Sequence, residues 1–199
     1  MDSFRTITEP CVADIKEKGS VFKAYLLPVQ STESFFNQLG FIKEQEPKAN
    51  HHCWAYRIDP DGLLERSSDD GEPSNTASAP ILRALISAEL YNVAVVVVRY
   101  FGGIKLGVSG LISAYGDATR AVINSAPILE TKLTWTLSIT FGYNQISFVE
   151  RICKSSAVEI LERNQEATLT YHISVIRSNF EEIKGQLEAN HLLTVRTDL

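Results

Sequence analysis

The apolar positions of this chain switch between a period of two and a period near 3.6, and the switches lay out its elements. Residues 21–27 alternate, with Phe22, Ala24 and Leu26 on one face and Val21, Tyr25 and Leu27 on the other. From Ser31 or Thr32 the spacing lengthens to that of a helix reaching about Glu46, with Phe35, Leu39 and Ile42 inward and Pro47 just beyond its end. Residues 51–58 alternate again: His52, Trp54, Tyr56 and Ile58 oppose His51, Cys53, Ala55 and Arg57. Asp59-Pro60-Asp61-Gly62 predicts a hairpin turn, with the return strand over 63–66. Ser78 is the expected cap of a helix entered at Pro80, whose stripe is Ile81, Leu82, Leu85, Ile86 and Leu90. Ahead of these, residues 4–8 read as a short edge strand and 16–19 as a solvated turn.

The centre of the pattern is 93–98, six apolar residues of which five are valine. A bilayer span needs about 20 apolar residues, so this run is a strand, and its β-branched content predicts cover on both faces. Arg99, Tyr100 and Phe101 end it, Gly102 and Gly103 turn the chain, and Ser109 is the expected cap of the next helix. That helix would bury Leu111, Ala114, Tyr115, Ala118 and Val122. A boundary falls at 127–132. Beyond it come a strand (133–141), a helix (145–155), two hairpin strands (158–162 and 167–176, turning near Asn164), a helix (180–190) and a last strand (192–197). The order βαββαβ predicts a ferredoxin-like sandwich with helices on one face of an antiparallel sheet.

Charge narrows the partners. The net charge is −5, and dividing the chain after Lys132 leaves 13 basic against 16 acidic residues before it and 6 against 8 after it. Neither part is basic, which excludes a general electrostatic grip on nucleic acid and leaves room only for a local one. The three cysteines, Cys11, Cys53 and Cys153, form neither a disulfide framework nor a CxxC metal pair. The first ten residues contain no apolar signal-peptide core, so a cytoplasmic location is expected.

Candidate chemistry concentrates at two bends. At the first, Gly102-Gly103-Ile104-Lys105-Leu106-Gly107 joins a buried strand to a helix, where glycine backbone and a helix start favour an anion. It has neither the P-loop order nor GxGxxG, so no nucleotide fingerprint applies. Arg99, Tyr100, Gly102, Gly103, Lys105 and Arg120 are the candidate phosphate- or RNA-binding residues, the cations for phosphate and Tyr100 or Phe101 for stacking on a base. The plainer reading of this region is that Gly107, Gly110 and Gly116 permit turning and close helix–sheet approach. The second bend, Asp69-Asp70-Gly71-Glu72-Pro73-Ser74, carries carboxylates able to divide acid and base roles or simply to order the loop. With His51, His52 and Cys53 it offers ligand types suited to zinc, but no HxxxH or HExxH spacing, and a metal is not expected. A triad of Ser74 or Ser109 with His51 or His52 and Asp70 lacks the GxSxG elbow.

The segments 67–82 (SSDDGEPSNTASAPIL), 95–118 (VVVVRYFGGIKLGVSGLISAYGDA) and 51–58 (HHCWAYRI) resemble the signature of the YigZ/IMPACT family, bacterial two-domain type. Asp70, Gly71, Glu72, Pro73, Ser74 and Thr76 match the family motif one by one, while Asn75 stands where many members have glycine. The resemblance implies an α+β protein of two domains, 1–130 and 133–199. The first is a ribosomal-protein-type βαβ domain like domain IV of elongation factor G, and the second a ferredoxin-like domain like its domain V. It also implies a non-enzymatic cytoplasmic protein that binds RNA, the ribosome or a translation factor, because eukaryotic members regulate translation. No cofactor and no membrane contact are expected, and the C-terminal domain is a candidate for protein binding or dimerisation. The alternative is a hydrolase or metal-dependent enzyme using Asp70 and Glu72 with His51 or His52.

Overall fold

The computed structural model describes residues 2–165 and 168–198. It divides the chain into two compact units, one of Phe4–Thr131 and one running from Lys132 onward together with the residues before Phe4. In the first unit the strands are β1 (Ser3–Thr6), β2 (Cys11–Glu17), β3 (Ser20–Pro28), β4 (His51–Ile58), β5 (Leu64–Ser68), β6 (Val93–Tyr100) and β7 (Leu129–Lys132). The helices are α1 (Thr32–Gln45), α2 (Ser78–Ser87) and α3 (Gly107–Ser125).

Five of these strands form one sheet in the order β2-β3-β6-β4-β5, every neighbouring pair antiparallel. β3 and β4 therefore run parallel to each other with β6 between them, a split βαβ crossing through α1. A separate two-stranded ribbon pairs β1 with β7. The valine run occupies the middle of the sheet and is covered on both faces, as its composition predicts. Val93, Val95 and Val97 join one core with Phe22, Leu26, Ile81, Leu85, Leu111 and Tyr115, under α2 and α3. Ala94, Val96 and Val98 join the other with Phe35, Leu39, Ile42 and Tyr56, under α1. α1 opens with a capping box, Ser31 Oγ accepting from the Ser34 amide at 3.1 Å and Ser34 Oγ from the Ser31 amide at 3.2 Å.

Several local expectations are corrected. Residues 11–15, unassigned by pattern, and 16–17, expected in the turn, form an edge strand; the turn to β3 is Lys18 (φ 45°) and Gly19 (φ 81°) alone, both φ positive. Ser78 and Ser109 are inside α2 and α3 rather than capping them; the residues before these helices, Ala77 and Leu106, carry no side-chain cap. Ile86 is exposed, since the α2 stripe turns through Ala84 instead.

The second unit is built from β8 (Thr134–Phe141), α4 (Ile146–Cys153), β9 (Val158–Gln165), β10 (Leu169–Ile176), α5 (Phe180–Glu188) and β11 (Thr194–Asp198). Its sheet order is β11-β8-β10-β9, antiparallel throughout, the arrangement of a βαββαβ sandwich. Leu137, Ile139, Ile173 and Val175 face Val149, Ile152, Ile183 and Leu187 of the two helices. On the two central strands the other parity carries Thr136, Ser138, Thr140, Thr170, His172 and Ser174, a hydroxyl-rich face whose one ring is the His172 imidazole. Asn164 lies within β9, paired with Thr170, rather than in the turn; the start of the second hairpin strand at Ala167 falls outside the described residues.

Candidate functional site

Both bends lie at the same end of the five-stranded sheet, because β4 and β6 are antiparallel neighbours and His51 sits opposite Arg99. The acidic loop follows β5, the next strand out. Each of its motif residues has a structural task. The Asp69 carboxylate accepts from the amides of Asn75 (2.9 Å), Ala77 (3.0 Å) and Ser78 (2.8 Å) and from Ser78 Oγ (2.8 Å). It therefore caps α2 from nine residues upstream, supplying what no local side chain does. Burial pushes this carboxyl up, but the backbone donors outweigh burial and hold it below the usual range. Asp70 adopts φ 43°, accepts from the His52 amide at 2.7 Å and presents its carbonyl to His51 Nδ1 at 2.9 Å. Gly71 takes φ 89°, a conformation side chains disfavour, and lies against the His51 ring, with Nδ1 3.4 Å from where a Cβ would be. The Pro73 carbonyl takes both the amide and the hydroxyl of Thr76, and Asn75 holds φ 62°, a conformation asparagine tolerates where glycine is the commoner choice. Ser74 is exposed beside them.

Glu72 turns inward. Its Oε1 accepts from Arg99 Nη1 at 2.6 Å and from the Tyr115 hydroxyl at 2.7 Å, with the carboxylate side chain 4% exposed. The Arg99 guanidinium is 5.4 Å from the Phe22 ring centroid and 5.6 Å from that of Phe101. Cys53 completes the cluster: its thiol is 2.9 Å from the Asp69 carbonyl and 3.3 Å from the Tyr115 hydroxyl. Burial pushes both the Cys53 thiol and the Tyr115 phenol well up, so both stay protonated at neutral pH. The buried Cys53 thiol packs in the core with Tyr115. Among the described residues no group of three or more His, Cys, Asp and Glu side chains converges as a metal cage would.

The histidines separate by face. His52 donates from Nε2 to the Glu46 carbonyl (3.2 Å), and burial pushes its imidazole down toward the neutral form. A carbonyl only accepts, so His51 Nδ1 carries the proton shared with Asp70, and its Nε2 faces Glu72 Oε1 at 3.9 Å. Among the described residues no serine hydroxyl bonds either ring, so the triad of Ser74 or Ser109 with Asp70 is not assembled; Ser109 lies on α3 facing α2.

The glycine bend is exposed from Phe101 to Lys105, whereas the acidic loop buries its Glu72. Gly102 crosses the β2–β3 turn so closely that a Cβ would sit 1.9 Å from the Gly19 carbonyl carbon, and its amide donates to Ser20 Oγ at 3.1 Å. The Phe101 amide donates to Asn50 Oδ1 at 2.8 Å. From this anchored base Phe101, Ile104 and Val108 project into solvent around an exposed Lys105. Gly103 (φ 87°) and Gly107 (φ 71°) take backbone conformations that side chains disfavour. α3 then starts with no side-chain cap and no acidic residue in its first turn.

Three candidate residues are not on that rim. Arg99 is a buried strut, held by Glu72. Tyr100 donates to Glu46, which also accepts from Tyr25 (2.5 Å) and Lys23 (2.7 Å). Arg120 lies 13 residues along α3 from Gly107, about 20 Å of helix rise, beside α2. The Glu46 cluster went unread in the sequence because its members are spread from Lys23 to Tyr100; only the pairing of β3 with β6 collects them.

Residues 18–123 match the sequence model of the Impact N-terminal domain. An IMPACT family member of Haemophilus influenzae is 36% identical over 176 residues, covering 85% of this chain and 84% of the relative. The IMPACT family member YigZ of Escherichia coli is 25% identical over 189 residues, covering 94% and 93%. A crystal structure described as a hypothetical protein superposes over 100% of this chain and 98% of its own with a TM-score of 0.71 at 24% identity, a likeness of fold alone.

Proposed function

This chain belongs to the IMPACT family, and from that premise we propose that it is a non-catalytic protein that engages RNA of the translation machinery through the glycine bend. The observation that carries the reading is Lys105: an exposed cation between exposed Phe101 and Val108, directly ahead of the uncapped start of a 19-residue helix. Backbone N–H groups and an ammonium suit one phosphate, and the Phe101 ring suits an unpaired base. On this reading the buried Glu72–Arg99 pair behind the bend holds it in place rather than reacts. On this reading translation regulation is the outcome, the cytoplasm is the location, and the two units are counterparts of domains IV and V of elongation factor G. The hydroxyl-rich sheet face of the second unit carries no Phe, Tyr or Trp on its two central strands, and on this reading that unit serves protein binding or dimerisation.

Anisotropy of a labelled single-stranded RNA tests the reading. Lys105→Glu with Phe101→Ala should weaken binding by at least about tenfold and flatten the dependence on salt by about one phosphate contact. Unchanged affinity would remove the glycine bend as the interface.

A second reading rests on His51. With Nδ1–H fixed by a carbonyl and Nε2 facing Glu72, the pair has the orientation of an acid–base dyad. Hydrolase activity in the wild type that is lost in His51→Gln while the folded spectrum is kept would establish an enzyme in place of the binding protein.

A further inference from the structure

α2 and α3 cover the same face of the five-stranded sheet, and each is joined to β6 by a short link, at 88–92 and at 101–106. Both helices therefore run antiparallel to β6 and parallel to each other. Between them lies a groove of about 710 Å³, within the size range of specific binding clefts. Its lining includes Arg83 from α2 and Arg120 from α3 and no carboxylate, while Asp117 beside it pairs with Arg120 at 2.7 Å and accepts from the Ser113 hydroxyl at 3.1 Å. Ala84, Ile112 and Ile123 supply an aliphatic floor, and no aromatic ring lines it.

We propose that this groove docks one face of an acidic amphipathic helix of a partner protein. The floor rewards small aliphatic side chains, whereas a nucleic-acid strand would bring charge and bases without finding a ring to stack on. The two arginines select the sign: carboxylates flanking the apolar stripe of the incoming helix meet cations on both walls, and a basic helix is repelled. Arg120 is available for the exchange. Its guanidinium lies over Gly116, 3.1 Å from where a Cβ would be, and its bond to Asp117 joins two side chains that are each more than half exposed. The groove follows α3 from Ser109 to Asn124, about 22 Å and so about four turns of a docked helix. The proposal does not depend on the RNA reading, since Lys105 is not among the lining residues.

The test uses the full chain and two labelled, end-capped helical peptides of about four turns, each with leucine at i, i+3, i+4 and i+7. One carries glutamate and the other lysine beside the stripe, with single-stranded homouridine as a third probe. The acidic peptide should bind, the basic one at least about tenfold more weakly. Arg83→Glu with Arg120→Glu, and separately the exposed groove-filling change Ser113→Trp, should each reduce acidic-peptide binding at least about tenfold, while Lys105→Glu leaves it unchanged. No binding of the acidic peptide, equal binding of both peptides, or binding indifferent to these changes would overturn the proposal. So would homouridine competing for the groove in a manner blocked by Ser113→Trp, which would assign the groove to RNA.

Discussion

Arg99 Nη1 and Glu72 Oε1 meet at 2.6 Å with both side chains less than a tenth exposed, and this single contact ties the acidic loop to the end of the central strand. Removing one partner of such a pair strands the other charge in the interior. Glu72→Ala should cost about 3–5 kcal/mol, whereas Glu72→Leu with Arg99→Met should recover most of it. Denaturant unfolding of the single and double variants checks the cycle; a double variant as unstable as Glu72→Ala would show that the pair is not the strut described.

The two glycines at 40 and 102 should respond in opposite directions. Gly40 is in the exposed interior of α1, where an added methyl would have no neighbour within 4 Å, so Gly40→Ala should stabilise by about 0.5–1 kcal/mol. Gly102→Ala drives a methyl into the Gly19 backbone and should destabilise by several times that amount. Thermal melts of the two variants give the comparison directly.

Asp69 holds the start of α2 through backbone donors that are otherwise unsatisfied. Asp69→Asn keeps the shape but loses the charge and sets an NH2 donor against two of the four donors that Asp69 accepts from, and should cost at least about 1–2 kcal/mol. Hydrogen exchange should quicken at the Ala77 and Ser78 amides before it changes in β6; protection unchanged at those two amides would refute the remote cap.

Glu46 sets an acid limit. Hydrogen bonds from Lys23, then Tyr100 and Tyr25, lower its carboxyl to about 2. A carboxyl whose folded value is depressed contributes fully above its unfolded value, about 4.3, and loses that contribution as pH falls toward the folded value. Glu46→Gln should therefore cost about 1–3 kcal/mol at neutral pH. The deficit should shrink steadily below about pH 4. Urea midpoints of both proteins between neutral and acid pH measure it, and a deficit that grows on acidification would contradict the network.

Much of the first unit was readable because burial on two faces leaves a strong periodic trace. Residues 51–58 and the α1 stripe of Phe35, Leu39 and Ile42 occur where the pattern puts them. β2 escaped because it is an edge strand whose inward side chains, Cys11, Ala13 and Ile15, are small or only partly buried, so its alternation is faint. The helix starts moved for a different reason: Ser78 and Ser109 satisfy the local capping preference, but Asp69 supplies the first cap from a distance and the second helix begins without one. The candidate site divided along the same line. That the two bends share one end of the sheet follows from strand order, whereas the burial of Arg99 and Glu72 depends on a partner 27 residues away, which no window of sequence displays.

Pelleting with ribosomes is the most direct test that the exposed glycine bend, not the buried cluster behind it, is the working surface. Wild-type protein should co-sediment at low salt and be released as salt rises, and Lys105→Glu with Phe101→Ala should stay in the supernatant while keeping its folded spectrum. Co-sedimentation of that variant at wild-type levels, or wild-type protein that never pellets at any salt, would contradict the account.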